Sequence, residues 1–249
     1  MGKRSHMRIL LAIAAVLSLV LGLARPGVAA NLPSGAIALS VGASYTFSDG
    51  VQVSVTGLSC GAGVSCSDLW MVPQTGISNS VIIEAASGIG QPLESIMSYT
   101  CPSGLCSVPA TTDLSVQLTA KSLVNGVYLT GASAAISGTA DSGYGAAVNM
   151  NESLAGSGGA ISGAGCSSGQ LNVTLLNAST SSDACTFAKQ TYVQGTKDAA
   201  ISGMVWSGTY ALNTITESFS AVPEPASMAS LISGVVALAA LRGRRRRRA

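Results

Sequence analysis

The sequence predicts an all-β domain, a β-sandwich, set between an N-terminal signal peptide and a single C-terminal transmembrane helix. Three observations lead there: period-two alternation in the interior, a tight-turn dipeptide between two alternating runs, and a short apolar segment near each end. Tyr45 and Phe47 precede Asp49-Gly50, after which Val51, Val53 and Val55 alternate with Gln52, Ser54 and Thr56. An Asp-Gly pair between such runs marks a hairpin, because a tight turn needs φ > 0 there. Alternation returns at Leu114, Val116 and Leu118, at Leu171, Val173 and Leu175, and at Tyr210, Leu212 and Thr214. Val81 to Ile83 and Met204 to Trp206 read as shorter strands. Between Asn31 and Val222 no stretch carries a long 3.6-residue periodicity with capping signals, so helix is not expected in that span.

Residues 1–30 have the three zones of a secretory signal. Lys3, Arg4 and Arg8 form the positive end, Ile9 to Ala24 the apolar run, and Val28-Ala29-Ala30 the small-residue cleavage site. Its removal would take the only histidine, His6, and change the electrostatics. Residues 31–221 then form the exported domain, and one core is the expectation for that length. From Asn31 to Val222, three lysines face ten acidic residues, a net charge of −7 against +2 for the whole chain. A negative, lysine-poor domain has no electrostatic footprint for nucleic acid or for anionic lipid.

Residues 222–249 follow a fixed order. Pro223-Glu224-Pro225 comes first, then sixteen uncharged residues from Ala226 to Leu241, then Arg242 and the run Arg244, Arg245, Arg246, Arg247 and Arg248. The two prolines fix φ and remove backbone donors, holding Glu224 on a stiff, extended segment. As a helix, 226–241 would be about 24 Å long. That is short of a ~30 Å hydrocarbon core, a gap closed by arginine snorkelling and bilayer thinning. The arginines form a positive-inside stop that keeps the C-terminus cytoplasmic.

This tail resembles the PEP-CTERM sorting signal of Gram-negative exosortase substrates. The resemblance covers about a tenth of the chain and rests on the tripeptide, the apolar run and the arginines standing together behind a leader. It implies an exosortase-type membrane peptidase as partner, acting at or near Pro223, Glu224 and Pro225, which are then substrate residues. It further implies transient membrane anchoring through the C-terminal helix, then a place at the cell surface or in the extracellular matrix. The hosts in which such tails occur form biofilms and secrete exopolysaccharide, a further partner expected by resemblance. A plain C-terminal anchor behind a proline spacer is the alternative.

Six cysteines lie in the exported span: Cys60, Cys66, Cys101, Cys106, Cys166 and Cys185. An even number in an exported chain suggests disulfides, with fifteen complete pairings available. Sequence order favours neighbours: Cys60 with Cys66, Cys101 with Cys106, and Cys166 with Cys185. The first two pairs flank turn-rich segments. Closing the longest loop is worth ~3 kcal/mol and each short one ~2 kcal/mol on the chain-entropy model. A four-thiolate zinc site from the first four is the rival, but the Cys60–Cys66 spacing is one residue too long for the usual pattern.

From Gly131 to Gly169, glycine, alanine and serine make up 27 of 39 residues, so any strands there must pack on small side chains. A β-solenoid rung is the other reading. Ala-Ile-Ser-Gly begins at Ala135, Ala160 and Ala200, and the unequal spacing argues against a true repeat. Asn125-Gly126 is a possible boundary between two subdomains.

Catalytic signatures are few. Without histidine the exported chain cannot assemble a Ser-His-Asp or Cys-His arrangement. The sequence holds no phosphate loop, EF-hand loop or His-Glu-x-x-His, and no cofactor or metal is expected. A carboxylate pair for glycoside hydrolysis is set by fold and not by spacing, and nothing singles out one pair among the ten acidic residues, most of which read as solvated surface. Trp70, Tyr99, Tyr128, Tyr144, Tyr192, Trp206 and Tyr210 are candidates for stacking on sugars, although Trp70 and Trp206 read more simply as core. The expectation is a non-catalytic, exported surface or matrix protein. A carbohydrate-binding module acting on exopolysaccharide is the alternative, and a secreted glycoside hydrolase stands third.

Overall fold

In a computed structural model of the chain, residues 35–61, 64–75, 79–86, 95–108, 113–140, 147–166, 168–175 and 179–224, with Ser233, are described. The leader, the apolar run 226–241, Pro225 and the arginines of the tail lie outside these residues, apart from Ser233. The described residues are all-β, and among them no helix is long and apolar enough to cross a membrane.

The strands are β1 (Ile37–Ala38), β2 (Ser44–Thr46), β3 (Val51–Cys60), β4 (Leu69–Gln74), β5 (Asn79–Ala85), β6 (Met97–Ser107), β7 (Asp113–Ser122) and β8 (Val127–Ala140). The second half adds β9 (Ala147–Gly156), β10 (Gly159–Ala160), β11 (Gly163–Ala164), β12 (Gln170–Leu175), β13 (Thr180–Gln190), β14 (Tyr192–Ser202) and β15 (Met204–Pro223). They form two antiparallel sheets in a sandwich-like arrangement. The eight-stranded sheet runs β1-β4-β5-β15-β8-β13-β11, with β6 also on β15. The seven-stranded sheet runs β10-β9-β14-β7-β3-β2, with β12 also on β9.

The alternation read from sequence is what builds the core. Val51, Val53 and Val55 of β3 face inward with Leu114, Val116 and Leu118 of β7, and all are buried. Met71, Ile83, Ile136 and Ile215 of the other sheet belong to the same apolar cluster. Asp49-Gly50 is the tight turn joining β2 to β3. Gly50 has φ of 82°, and Asp49 Oδ1 accepts a 3.1 Å hydrogen bond from the Val51 N–H.

Asn125-Gly126 is a turn too. It carries the chain from β7 in one sheet to β8 in the other, and a single apolar cluster spans both. The glycine-rich middle forms small-residue strands, β8 to β11, with a tight turn at Ser157-Gly158 between β9 and β10. The three Ala-Ile-Ser-Gly segments occupy unrelated places: within β8, across the β10–β11 connection, and at the end of β14. What they share is a buried isoleucine, at Ile136, Ile161 and Ile201.

The alternation expected at Tyr210, Leu212 and Thr214 does not hold through to Thr214. The three do not share a face, because the register of β15 shifts between Leu212 and Thr214. Beyond that irregularity the inward positions become Ile215, Glu217 and Phe219, while Thr214 turns outward to bond Ser137 (Oγ···Oγ1 2.6 Å). A β-bulge resets the phase of a strand in this way.

The cysteines pair as neighbours: Cys60–Cys66, Cys101–Cys106 and Cys166–Cys185, with Cα separations of 5.8, 5.8 and 5.1 Å. The first ties the end of β3 to the following 3₁₀ turn. The second staples an excursion inside β6: Cys101 lies opposite Gly208 and Leu105 opposite Trp206, so residues 102–104 loop out of the ladder. The third joins the segment after β11 to β13.

Candidate functional site

The motif expected to be a processing site begins where β15 ends. Pro223 is the last residue of that strand, opposite Val127, and is exposed. A proline lacks the amide donor a ladder needs, so this is where pairing stops. Glu224 is held against the domain: its N–H donates a 2.6 Å hydrogen bond to the Gly126 carbonyl, and its carboxylate lies 3.8 Å from Lys189 Nζ. That same ammonium sits 5.1 Å from the centre of the Tyr128 ring. The charge of Glu224, and a hydrogen bond to it, raise the Tyr128 hydroxyl pKa, with burial a lesser contribution. Pro225 lies outside the described residues, as do Arg242 and Arg244 to Arg248.

The aromatic candidates do not gather into one platform among the described residues. Tyr210 is buried in the core and its hydroxyl donates to the Trp206 carbonyl. Trp206 is exposed beside Met204 and Leu105, also exposed, and Trp70 is half-buried on β4. Neither tryptophan is the core residue its hydrophobicity suggests. Tyr99, Tyr128 and Tyr192 are half-buried, and Tyr144 lies outside the described residues.

A constellation that sequence reading passed over sits between the sheets. Lys197 of β14, Glu152 of β9 and Glu217 of β15 are each fully buried. Lys197 and Glu152 are directly opposite on neighbouring strands, and Glu217 reaches them from the other sheet. Lys197 Nζ donates a 2.6 Å hydrogen bond to Glu152 Oε1 and lies 2.8 Å from Glu217 Oε2. The second contact has ion-pair distance but not hydrogen-bond direction, so neither Glu217 oxygen receives a well-directed bond. Gly195, one inward position along β14, makes the space: a Cβ there would collide with the Glu152 carboxylate.

The electrostatics follow from burial. For Lys197, burial pulls the pKa down, but the two carboxyls outweigh it and the net direction is upward. Glu217 is raised well above the usual carboxylate value, first by burial and then by Glu152, against the opposing pull of Lys197. The physically consistent state is an ammonium, one carboxylate and one neutral carboxylic acid, with no net charge left in the apolar interior.

The signal for this triad was present in the alternation. Val148, Met150, Glu152, Leu154 and Val193, Gly195, Lys197, Ala199 each place a charged residue at an inward position, as do Ile215, Glu217, Phe219. Treating acidic residues as surface hid it.

A further buried carboxylate, Glu84 of β5, lies on the outer face opposite Trp70 and Thr214. Its Oε1 and the Trp70 indole N–H are both buried without a hydrogen-bond partner. Burial raises its pKa above 4.5. Among the described residues, no cluster of His, Cys, Asp or Glu has the arrangement to hold a metal ion.

No protein-family profile matches the chain, and no curated protein does. Among solved structures, the enzymatically active domain of bacteriophage CBA120 tailspike protein 4 is similar at 9% identity and a TM-score of 0.23, over 70% of this chain and 21% of that one. A structure titled as manganese lipoxygenase of Gaeumannomyces graminis with partial zonadhesin of Komagataella pastoris is similar at 9% identity and a TM-score of 0.21. It covers 76% of this chain and 90% of that one. Likenesses this weak carry no functional argument.

Proposed function

We propose that the chain is an exported surface or extracellular-matrix protein without catalytic activity, held briefly in the membrane by its C-terminal helix and released by an exosortase-type peptidase. The observation that carries this reading is the order of the tail: Pro223-Glu224-Pro225, an uncharged run, then Arg242 and Arg244 to Arg248. The fold supports it in two ways. The tripeptide begins at the surface, directly after the strand that completes the domain. Three disulfides suit an oxidising compartment outside the cytoplasm.

The carbohydrate-binding alternative draws on Trp206, which stands exposed with Leu105 and Met204. The hydrolase reading gains nothing from Glu152 and Glu217, which face each other across a lysine where neither water nor a sugar has access.

The test is to sequence the C-terminus of the cell-surface form and to change Pro223, Glu224 and Pro225 together to alanine. A chain ending near the tripeptide, and retention of the longer form in the variant, is the expected result. A surface form that keeps its arginines, or a variant of unaltered size and location, would overturn the sorting reading. Binding of the domain to the host's polysaccharide, lost in Trp206→Ala, would favour the carbohydrate-binding alternative.

A further inference from the structure

Lys197 is a primary amine sealed between two carboxyl groups that belong to different sheets. Its two contacts differ in kind. Toward Glu152 Oε1 it donates a directed 2.6 Å hydrogen bond, so that carboxylate is placed to take a proton from nitrogen. Toward Glu217 the approach is nearly as close, 2.8 Å, but not along a hydrogen-bond direction, and Glu217 also faces the Glu152 carboxyl. The amine therefore lies against the Glu217 carboxyl group, and bringing two reacting groups into contact in a fixed frame is the condition under which a bimolecular step becomes intramolecular.

We propose that Lys197 and Glu217 condense into an intramolecular amide that joins the two sheets covalently, with Glu152 as the proton shuttle. The step balances without any outside reagent. Glu152 accepts one proton from the ammonium, and the freed Nζ lone pair attacks Glu217 Cδ. As the tetrahedral centre collapses, the Cδ–OH bond breaks and Glu152 returns its proton to the departing hydroxyl, which leaves as water. Glu152 then takes the second proton lost by nitrogen. An ammonium, a carboxylate and a carboxylic acid become an amide, a carboxylic acid and one water, with net charge zero throughout.

The surroundings favour each part of this. A neutral carboxylic acid accepts a nucleophile where a carboxylate repels one, and burial pushes Glu217 toward that neutral form. Lys197 rests as the cation, so a base in direct contact is required, and Glu152 is that base. The flanking inward residues Met150, Leu154, Ala199, Ile215 and Phe219 are buried and apolar, which excludes the water that would reverse the reaction. Condensation also removes a buried ion pair, which an apolar interior tolerates poorly.

The test is a digest of the reduced, alkylated full chain recovered from cells that export it. Trypsin is expected to fail after Lys197, giving a fragment lighter by one water. Cleavage after Trp206 and Tyr210 should leave the Lys197 and Glu217 peptides joined. Lys197→Arg keeps a cation but should abolish the link, and Glu152→Gln should slow its formation by about 10²–10⁴-fold. Complete trypsin cleavage after Lys197, with both peptides at their unlinked masses, would overturn the proposal. So would a link from Lys197 to Glu152. If a variant fails to fold, the digest of the unaltered chain still decides.

Discussion

Glu217 and Glu84 are both buried carboxyls raised above their ordinary pKa by burial, yet they live in opposite circumstances. Glu217 points into the sandwich at an inward position of β15 and meets a lysine and a second glutamate. Glu84 points outward on β5, is covered all the same, and has a carboxyl oxygen with no partner beside an indole N–H with none. The contrast shows that depth alone does not decide what a buried acid does. A carboxyl set among inward neighbours from two sheets acquires a cation and a chemistry, whereas one covered on the outer face has only the desolvation cost.

The largest expected effect breaks the inner site. Lys197→Met leaves Glu152 and Glu217 facing each other without their cation and should cost about 3–5 kcal/mol in denaturant unfolding. Replacing all three residues with apolar ones of similar volume should cost far less, because no uncompensated group remains. Gly195→Ala comes next. Its methyl would strike the Glu152 carboxylate and should cost about 1–3 kcal/mol by overpacking, read from the same unfolding curves.

Glu84→Gln sharpens the outer half of the comparison. With the folded pKa raised, the contribution of protonated Glu84 is complete below the ordinary carboxylate range and is lost as pH rises through the folded value. The variant should therefore match the parent at about pH 3 and gain on it toward neutral pH, in a pH series of melting temperatures. Lys189→Ala is the smallest change. It removes a half-exposed partner of Glu224, so stability should move by no more than about 1 kcal/mol. Limited proteolysis of the C-terminal end should quicken if that contact holds the strand end in place.

Much of the fold was legible because strand chemistry is local. Valines alternating with polar residues on either side of Asp49-Gly50 specify a hairpin whatever the rest of the chain does. Short loops between neighbouring cysteines specify their own closure. What sequence did not carry was non-local: that β7 and β8 lie in different sheets, and that β15 changes phase between Leu212 and Thr214. The inner site failed for another reason. Lys197, Glu152 and Glu217 each keep the inward phase of their own strand, but only the packing of two sheets brings them together. Glu84 had no such signal, since it occupies an outward position and is buried all the same.

The last strand in the sequence is a central one in space: β15 pairs with β5, β6 and β8 along its length. For a chain exported N-terminus first, this fixes an order of events. The eight-stranded sheet has no middle until residues 204–223 have crossed, so earlier strands wait outside as unpaired edges. Such long-range closure is slow, and open edges are prone to misassociation. Under the proposed export, folding would be timed by the end of translocation, and the tripeptide that follows would reach the outer surface as the sheet gains its middle. A peptidase waiting there would act as a release gate that opens on finished domains.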